Sequence, residues 1–288
     1  MIYLNSFEFP NDSAEFNFII EQKMTCYESF YPFKILSRNN LERIDFEEVT
    51  ILYGGNGSGK STALNVIAEK IKANRDSLYN KSPFFSEYVD MCEAKIEEEG
   101  MDNIKIITSD DIFDYILNIR NFNEGIDLKR DELFEEYLDA KYSNFQMKSI
   151  SEYEKLKKSN KAKKNTKSQF VKSELISNVR EYSNGETSFK YFLEKIDKAG
   201  IYILDEPENS LSPNRQLELM NFIEESVRYE GCQFIISTHS PFLLGMRKAK
   251  IYDLDENPVY IKKWTELENV RVYYEFFKRY EEDLKNMW

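Results

Sequence analysis

The chain has 288 residues, 41% of them hydrophobic and 15% aromatic, and a formal net charge of −12 at pH 7. That apolar content excludes global disorder, and the acidic balance excludes a protein that coats nucleic acid through its whole surface. The length fits one large domain, or one domain carrying an insertion.

The opening run MIYLNSFEFPNDSAEF has no basic stretch followed by an apolar core and a small-residue cleavage site. No stretch reaches the roughly 20 apolar residues needed to span a bilayer, so the expectation is a cytoplasmic protein with no membrane partner. Cys26, Cys92 and Cys232 are widely spaced without a CxxC pair. They read as core or incidental thiols, not as a disulfide scaffold or a zinc site.

VTILYGG at 49–55 predicts a strand ending in glycines, and STALNVIAEKIKA after Lys60 has apolar positions at helical spacing. Between them GGNGSGKS, 54–61, has P-loop spacing in the strand, loop, helix order that a phosphate cradle needs. There Gly54, Gly55, Asn56, Gly57, Ser58 and Gly59 turn successive N–H groups around phosphates, and Lys60 reaches the β- and γ-phosphates. The Ser61 hydroxyl can ligate magnesium, and Thr62 completes the nucleotide-binding set.

From 76 to 180 the pattern turns acidic and aromatic. EYVDMCEAKIEEE and SDDIFDYILNIRNF predict helices, separated by EGMDNIKIIT with a short strand. Ser151–Lys172 places eight lysines against two glutamates and reads as a solvated helix or a loop, with a loop around 160–168. Such a strip either contacts the phosphates of duplex DNA or is a solvated linker.

YSNGETSF at 182–189 offers Ser183 and following N–H groups, which suit an ordinary helix cap or an anion. GIYILDEP, 200–207, predicts a strand delivering Asp205 to its end, where it can hold magnesium, with Glu206 next to it able to polarise a water. NRQLELMNFIEESVRYE is an amphipathic run, and CQFIISTHS is a further strand ending at His239, the single histidine of the chain. Parallel neighbours bring such strand ends to one side, so His239 is expected to sense a γ-phosphate. IYDLDENPVYIKKW predicts one or two small edge strands, and RVYYEFFKRYEEDLKNMW a closing helix. Strands alternating with helices indicate an α/β domain with a parallel sheet. The expected division is 1–75 and 181–288 as two parts of the core, with 76–180 an inserted, mainly helical lobe. There is no internal repeat, no long heptad array and no His, Asp and Glu cluster suggesting a nuclease centre.

Together these motifs resemble those of the ATP-binding cassette ATPases, in particular the soluble branch of RecF-, SMC- and OLD-like proteins and the small AAA-type predicted-ATPase families near them. GGNGSGKST resembles the Walker A motif, ILDEPENSLSP the Walker B motif with catalytic glutamate and D-loop, and STHSP the switch histidine motif. YSNGETSF is similar to the shortened signature of this branch, with Ser183 and Gly185 at its matching positions. The resemblance implies a P-loop NTPase fold of ATP-binding cassette type, ATP and Mg2+ as ligands, and Lys60, Glu206 and His239 as catalytic residues. It also implies a homodimer with composite sites, the signature of one subunit capping the γ-phosphate held by the other.

Two positions depart from the pattern. Where the family commonly has a glutamine, IKIITSDDIF offers Ser109, Asp110 and Asp111, and the D-loop aspartate is replaced by Ser212. The resemblance leads first to a magnesium-dependent ATPase in a DNA-related or phage-defence process. A regulatory subunit controlling a separate effector, such as a toxin or nuclease, is the alternative. A transporter's nucleotide-binding subunit is disfavoured by the missing glutamine.

Overall fold

Three apolar runs, VTILY, IYILD and QFIIS, become neighbouring strands near the middle of a six-stranded sheet. In this computed structural model the described residues are 1–22, 26–27, 29–97, 103–142, 153–175, 177–178 and 183–285. In chain order they form β1 (Leu4–Glu8), α1 (Asp12–Glu21), β2 (Arg43–Asp45), β3 (Val49–Tyr53), α2 (Lys60–Lys70), α3 (Phe85–Met91), β4 (Glu93–Ile96) and β5 (Ile104–Thr108). There follow α4 (Ser109–Tyr142), α5 (Tyr153–Lys164), α6 (Lys167–Glu174), α7 (Asn184–Lys195), β6 (Ile201–Asp205), α8 (Pro213–Glu225) and β7 (Gln233–Ser237). The chain closes with α9 (Pro241–Leu244), β8 (Lys250–Asp253), β9 (Tyr260–Lys262), α10 (Glu268–Arg279) and α11 (Glu281–Lys285). Two compact units result, Met1–Phe113 with Asn184–Trp288, and Asp114–Ser183.

The first unit holds both sheets. The larger has the order β5-β6-β7-β3-β8-β9, with every pair parallel except β8–β9. Strands β3 and β7 are buried along their whole length, which is why they read as unbroken apolar runs and not as alternation. Register levels the strand ends: Thr108 lies opposite Asp205, Asp205 opposite Ser237, and Leu52 opposite Ser237. The residues that follow β3, β6 and β7 therefore leave the sheet at one edge, as open parallel sheets require of a site.

The second sheet is antiparallel, β2-β1-β4. Gln233, fully buried at the start of β7, ties it to the first sheet. Its amide nitrogen donates to Leu4 O (2.9 Å) and Glu47 O (3.2 Å), and its oxygen accepts from the N–H groups of Tyr3 and Leu4 (2.9 Å each).

The unit 114–183 is a helical insertion, with Leu133, Tyr137, Ala162, Phe170 and Val171 as its core. Helix α4 enters it from the first unit and is far longer than the SDDIFDYILNIRNF run predicted. Its 34 residues span about 51 Å.

Four sequence expectations need correction. EYVDMCEAKIEEE is not one helix, because α3 stops at Met91 and Glu93–Ile96 pairs antiparallel with β1. The lysine-rich stretch is helical, not a loop around 160–168. It breaks only at Asn165 and Thr166, where Thr166 and Gln169 form a capping box for α6. Strand β8 is interior, paired on both sides by β3 and β9. The C-terminal segment forms α10 and α11 with a break at Tyr280, and residues 286–288 lie outside the described residues. Among the described residues no helix is long and apolar enough to cross a membrane.

Candidate functional site

The phosphate loop follows β3. Gly57 (φ 84°) and Gly59 (φ 96°) adopt left-handed backbone that side chains disfavour. A Cβ at Gly59 would also press Leu36 and Ile35, at 3.0 and 3.1 Å. Lys60 is buried, and its ammonium donates to Gly54 O (2.8 Å) and Gly55 O (3.1 Å), while burial pulls its pKa down. Asn56 is exposed at the loop tip. Ser58 Oγ is buried and has no hydrogen-bond partner. Thr62 Oγ1 accepts from the Tyr31 hydroxyl at 3.3 Å.

The ends of β6 and β7 supply the rest. Asp205 is partly buried and accepts from Ser61 Oγ (3.1 Å) and from Ser237 Oγ. Desolvation by burial raises its carboxyl above the ordinary aspartate value, against the hydrogen bonds from Ser237 and Ser61. Glu206 has left-handed backbone (φ 49°), a conformation that costs about 1 kcal/mol and persists where the surroundings enforce it. Here its N–H donates to Ser237 O (3.1 Å) and Ser237 Oγ (3.0 Å), and Asn209 Nδ2 donates to its carboxylate (3.0 Å). So held, Glu206 Oε1 lies 3.8 Å from Lys60 Nζ and 3.4 Å from His239 Nε2. His239 Nε2 is buried without a hydrogen bond.

The structure thus gathers Lys60, Ser61, Asp205, Glu206 and His239. Gly185 lies in the first turn of α7, and Ser183 immediately precedes that helix. A Cβ on Gly185 would meet Ser210 O at 3.4 Å, Ser183 is exposed, and Tyr182 of the same motif lies outside the described residues. Beside Ser61 and Asp205 opens a cleft of about 400 Å³, lined also by Asn65, Thr108, Ser109 and Asp110. Of the three residues at the missing glutamine, Asp111 is turned back onto Thr108, accepting from its N–H (2.6 Å) and hydroxyl (2.8 Å). Ser212 is the N-cap of α8.

Several neighbours escaped sequence reasoning. Asp255 accepts the Gly55 N–H on both carboxylate oxygens, at 2.8 Å each. Arg75 stacks 3.6 Å over the Tyr79 ring, donates to Asn65 Oδ1 (2.9 Å), and keeps a buried nitrogen without a partner. Glu208 accepts from the backbone of His239 and Ser240, and Asn269 donates to the His239 carbonyl. Asp255, Arg75 and Asn269 lie in no motif that the sequence showed, and Glu208, the third acid of LDEPE, lies inside the Walker B-like run without a role read for it.

The donor set fits a polyphosphate with a magnesium ion. A buried ammonium, two buried polar atoms lacking partners (Ser58 Oγ, His239 Nε2) and a desolvated carboxylate paired with a hydroxyl are what such a ligand would satisfy. Among the described residues no group of three or more His, Cys, Asp or Glu could hold a metal ion. Magnesium at Ser61 and Asp205 would take its other ligands from phosphate and water.

No curated protein matches the chain in sequence. Among solved structures it is similar to the Smc head domain of Pyrococcus furiosus with an extended coiled coil, at 14% identity over 96% of this chain and 100% of that one, TM-score 0.41. It is also similar to the SMC head domain of Thermotoga maritima, at 13% identity over 91% and 99%, TM-score 0.38. A dimeric bacterial ABC transporter cassette gives 16% identity over 78% and 90%, TM-score 0.36. Residues 176–245 match the family described as "AAA domain, putative AbiEii toxin, Type IV TA system". Residues 40–209, more than half of the chain and including both the phosphate loop and the Asp205–Glu206 strand end, match the ABC transporter family. The chain belongs to the ABC transporter family of P-loop nucleotide-binding domains.

Proposed function

We propose that this protein is a magnesium-dependent ATPase whose two copies close over ATP, and whose closing and opening controls a separate effector protein. The observation that carries this reading is the placement of Glu206 Oε1 between Lys60 Nζ, at 3.8 Å, and His239 Nε2, at 3.4 Å, at the rim of the phosphate loop.

In this reading the loop amides of 54–59 with Lys60 hold the phosphates, and Ser61 and Asp205 hold magnesium, which neutralises charge on the transferred group. Glu206 Oε1 orients the attacking water and accepts its proton. His239 donates from Nε2 to the γ-phosphate, and Ser183 with Gly185 reaches the nucleotide of the second copy. Thr62 supports the loop through the Tyr31 hydroxyl.

The effector is the finer part of the reading. Support comes from the match of 176–245 to a domain described in terms of a toxin of a toxin–antitoxin system. A contact with duplex DNA through the lysine-rich helices has less behind it, because Lys158 and Lys161 already pair with Glu136 and Glu174. A cytoplasmic location belongs to the same reading.

The test is Glu206→Gln. With the water-activating carboxylate gone and the phosphate contacts kept, the variant should lose turnover by about 100-fold or more. It should also accumulate as a dimer with MgATP, measured by size exclusion with light scattering. A variant that stays monomeric at saturating MgATP would exclude the closing of two copies over ATP.

A further inference from the structure

Both main-chain polar groups of His239 are held by side chains from other elements. Its N–H donates to Glu208 Oε1 at 2.5 Å, in the turn after β6, and Ser240 N–H reaches the same oxygen at 3.1 Å. Its carbonyl accepts from Asn269 Nδ2 at 2.7 Å, in the first turn of α10. Asn269 is itself pinned, since its own N–H donates to the Tyr53 hydroxyl at 3.3 Å. Tyr53 is the last residue of β3, directly ahead of the phosphate loop.

A backbone carbonyl can only accept, so the face of the Asn269 amide turned to it must be the nitrogen. The amide oxygen is left buried without a partner, which a side chain present merely to fill space would avoid by being apolar. The loop between β7 and α9 has no ladder to fix it, and the imidazole must lie within hydrogen-bond reach of a small target. Two side-chain hydrogen bonds, one to each side of the His239 peptide units, supply that constraint.

We propose that Asn269 and Glu208 are positioning residues that clasp the backbone of His239 and aim its imidazole at the phosphate site, coupling α10 to that site. The proposal rests on the ATPase reading above and adds a control point to it. Helix α10 is joined to the loop that carries the γ-phosphate sensor and, through Tyr53, to the strand that opens the phosphate cradle. A shift of α10 by its surroundings is thereby transmitted to His239 without contact with the nucleotide.

Two features make the clasp testable apart from activity. His239 is the single histidine in the chain, so selective labelling of histidine gives one imidazole resonance that reports this ring alone. Asn269→Asp keeps the shape and removes the donor, and Asn269→Ala removes the side chain. In both, the apo imidazole resonance should move or broaden. Its shift on adding MgADP or a non-hydrolysable ATP analogue with magnesium should shrink.

Turnover should fall about tenfold in kcat with KM for ATP within about twofold, since misplacement of a catalytic group slows chemistry more than binding. Glu208→Gln, which keeps one acceptor oxygen, should retain more of kcat than Glu208→Ala. A folded Asn269→Asp protein with wild-type kcat and an unmoved resonance would overturn the clasp while leaving the ATPase reading intact. If the Asn269 variants lose their circular dichroism, Tyr53→Phe removes one anchor of α10 and leaves Asn269 in place. An unmoved His239 resonance there would overturn the coupling through α10. A wild-type protein with no turnover and no response of its resonance to MgATP would overturn both proposals together.

Discussion

Glu15 lies fully buried on α1, and three donors meet its carboxylate: Lys34 N–H at 2.5 Å, Ser37 Oγ at 2.8 Å and Tyr88 OH at 3.3 Å. Loss of water outweighs them and raises its pKa above the ordinary glutamate value. An acid with a raised pKa binds more protons folded than unfolded, so its contribution to stability falls as pH rises from the unfolded value through the folded one. Acidification from neutrality into that window should therefore stabilise the wild type relative to Glu15→Gln, with one pKa unit corresponding to about 1.4 kcal/mol. Denaturant titrations at several pH values check this, and parallel pH profiles for the two proteins would refute it. No pattern in DSAEFNFIIE marks Glu15 as buried, because its burial is created by Lys34, Ser37 and Tyr88. The same limit separates the readable from the unreadable at the site. Lys60, Ser61, Asp205, Glu206 and His239 stand in short motifs whose chemistry is local, and the structure gathers them. Glu208 and Asn269 act through the backbone of a residue about thirty positions away, and spacing carries no trace of that.

At the scale of elements, legibility followed burial. Strands β3, β6 and β7 were readable because a parallel sheet covered on both faces demands continuous apolar runs. The β2-β1-β4 sheet was not, since β2 and β4 are short and half exposed and β1 pairs with β4 across some ninety residues. In EAKI the composition is that of a helix, and cross-strand pairing with β1 overrides it. Helix α10 shows a third case. Its segment reads as a closing helix, yet Tyr273, Phe276 and Phe277 on it and Tyr280 at its C-terminal end are exposed, and helical spacing does not say what covers an apolar face. The join between the two sheets is a sharper test of what holds this unit together. Replacing Gln233 by Leu keeps the burial and strands the Leu4 and Glu47 carbonyls and the Tyr3 and Leu4 N–H groups. The expected loss is roughly 3 kcal/mol, because unsatisfied buried groups cost far more than a hydrogen bond contributes. Urea unfolding measures it, and a change below about 1 kcal/mol would show that water or rearranged backbone takes over the role of the amide.

For the whole molecule, charge and site architecture bear on the proposed choice between two uses of the same ATPase. A net charge of −12 opposes approach to a polyanion, and a local basic strip must overcome it by releasing counterions from phosphates. The candidate strip is weakened from within, since Lys158 and Lys161 face Glu136 and Glu174 across the helices of the 114–183 unit. A composite site depends instead on meeting a second copy, which concentration controls. ATP turnover per subunit should therefore rise with protein concentration. It should change by less than about twofold on adding duplex DNA at physiological salt, because two lysines of the strip are already paired with acids and salt screens the attraction of the others. Turnover is measured across a dilution series with and without DNA, at two salt concentrations. A salt-sensitive stimulation by DNA, lost when Lys157, Lys158, Lys163 and Lys164 are neutralised together, would reverse the ranking and make nucleic acid the partner. Concentration dependence without a DNA response leaves the partner to be sought among proteins, where the effector reading places it.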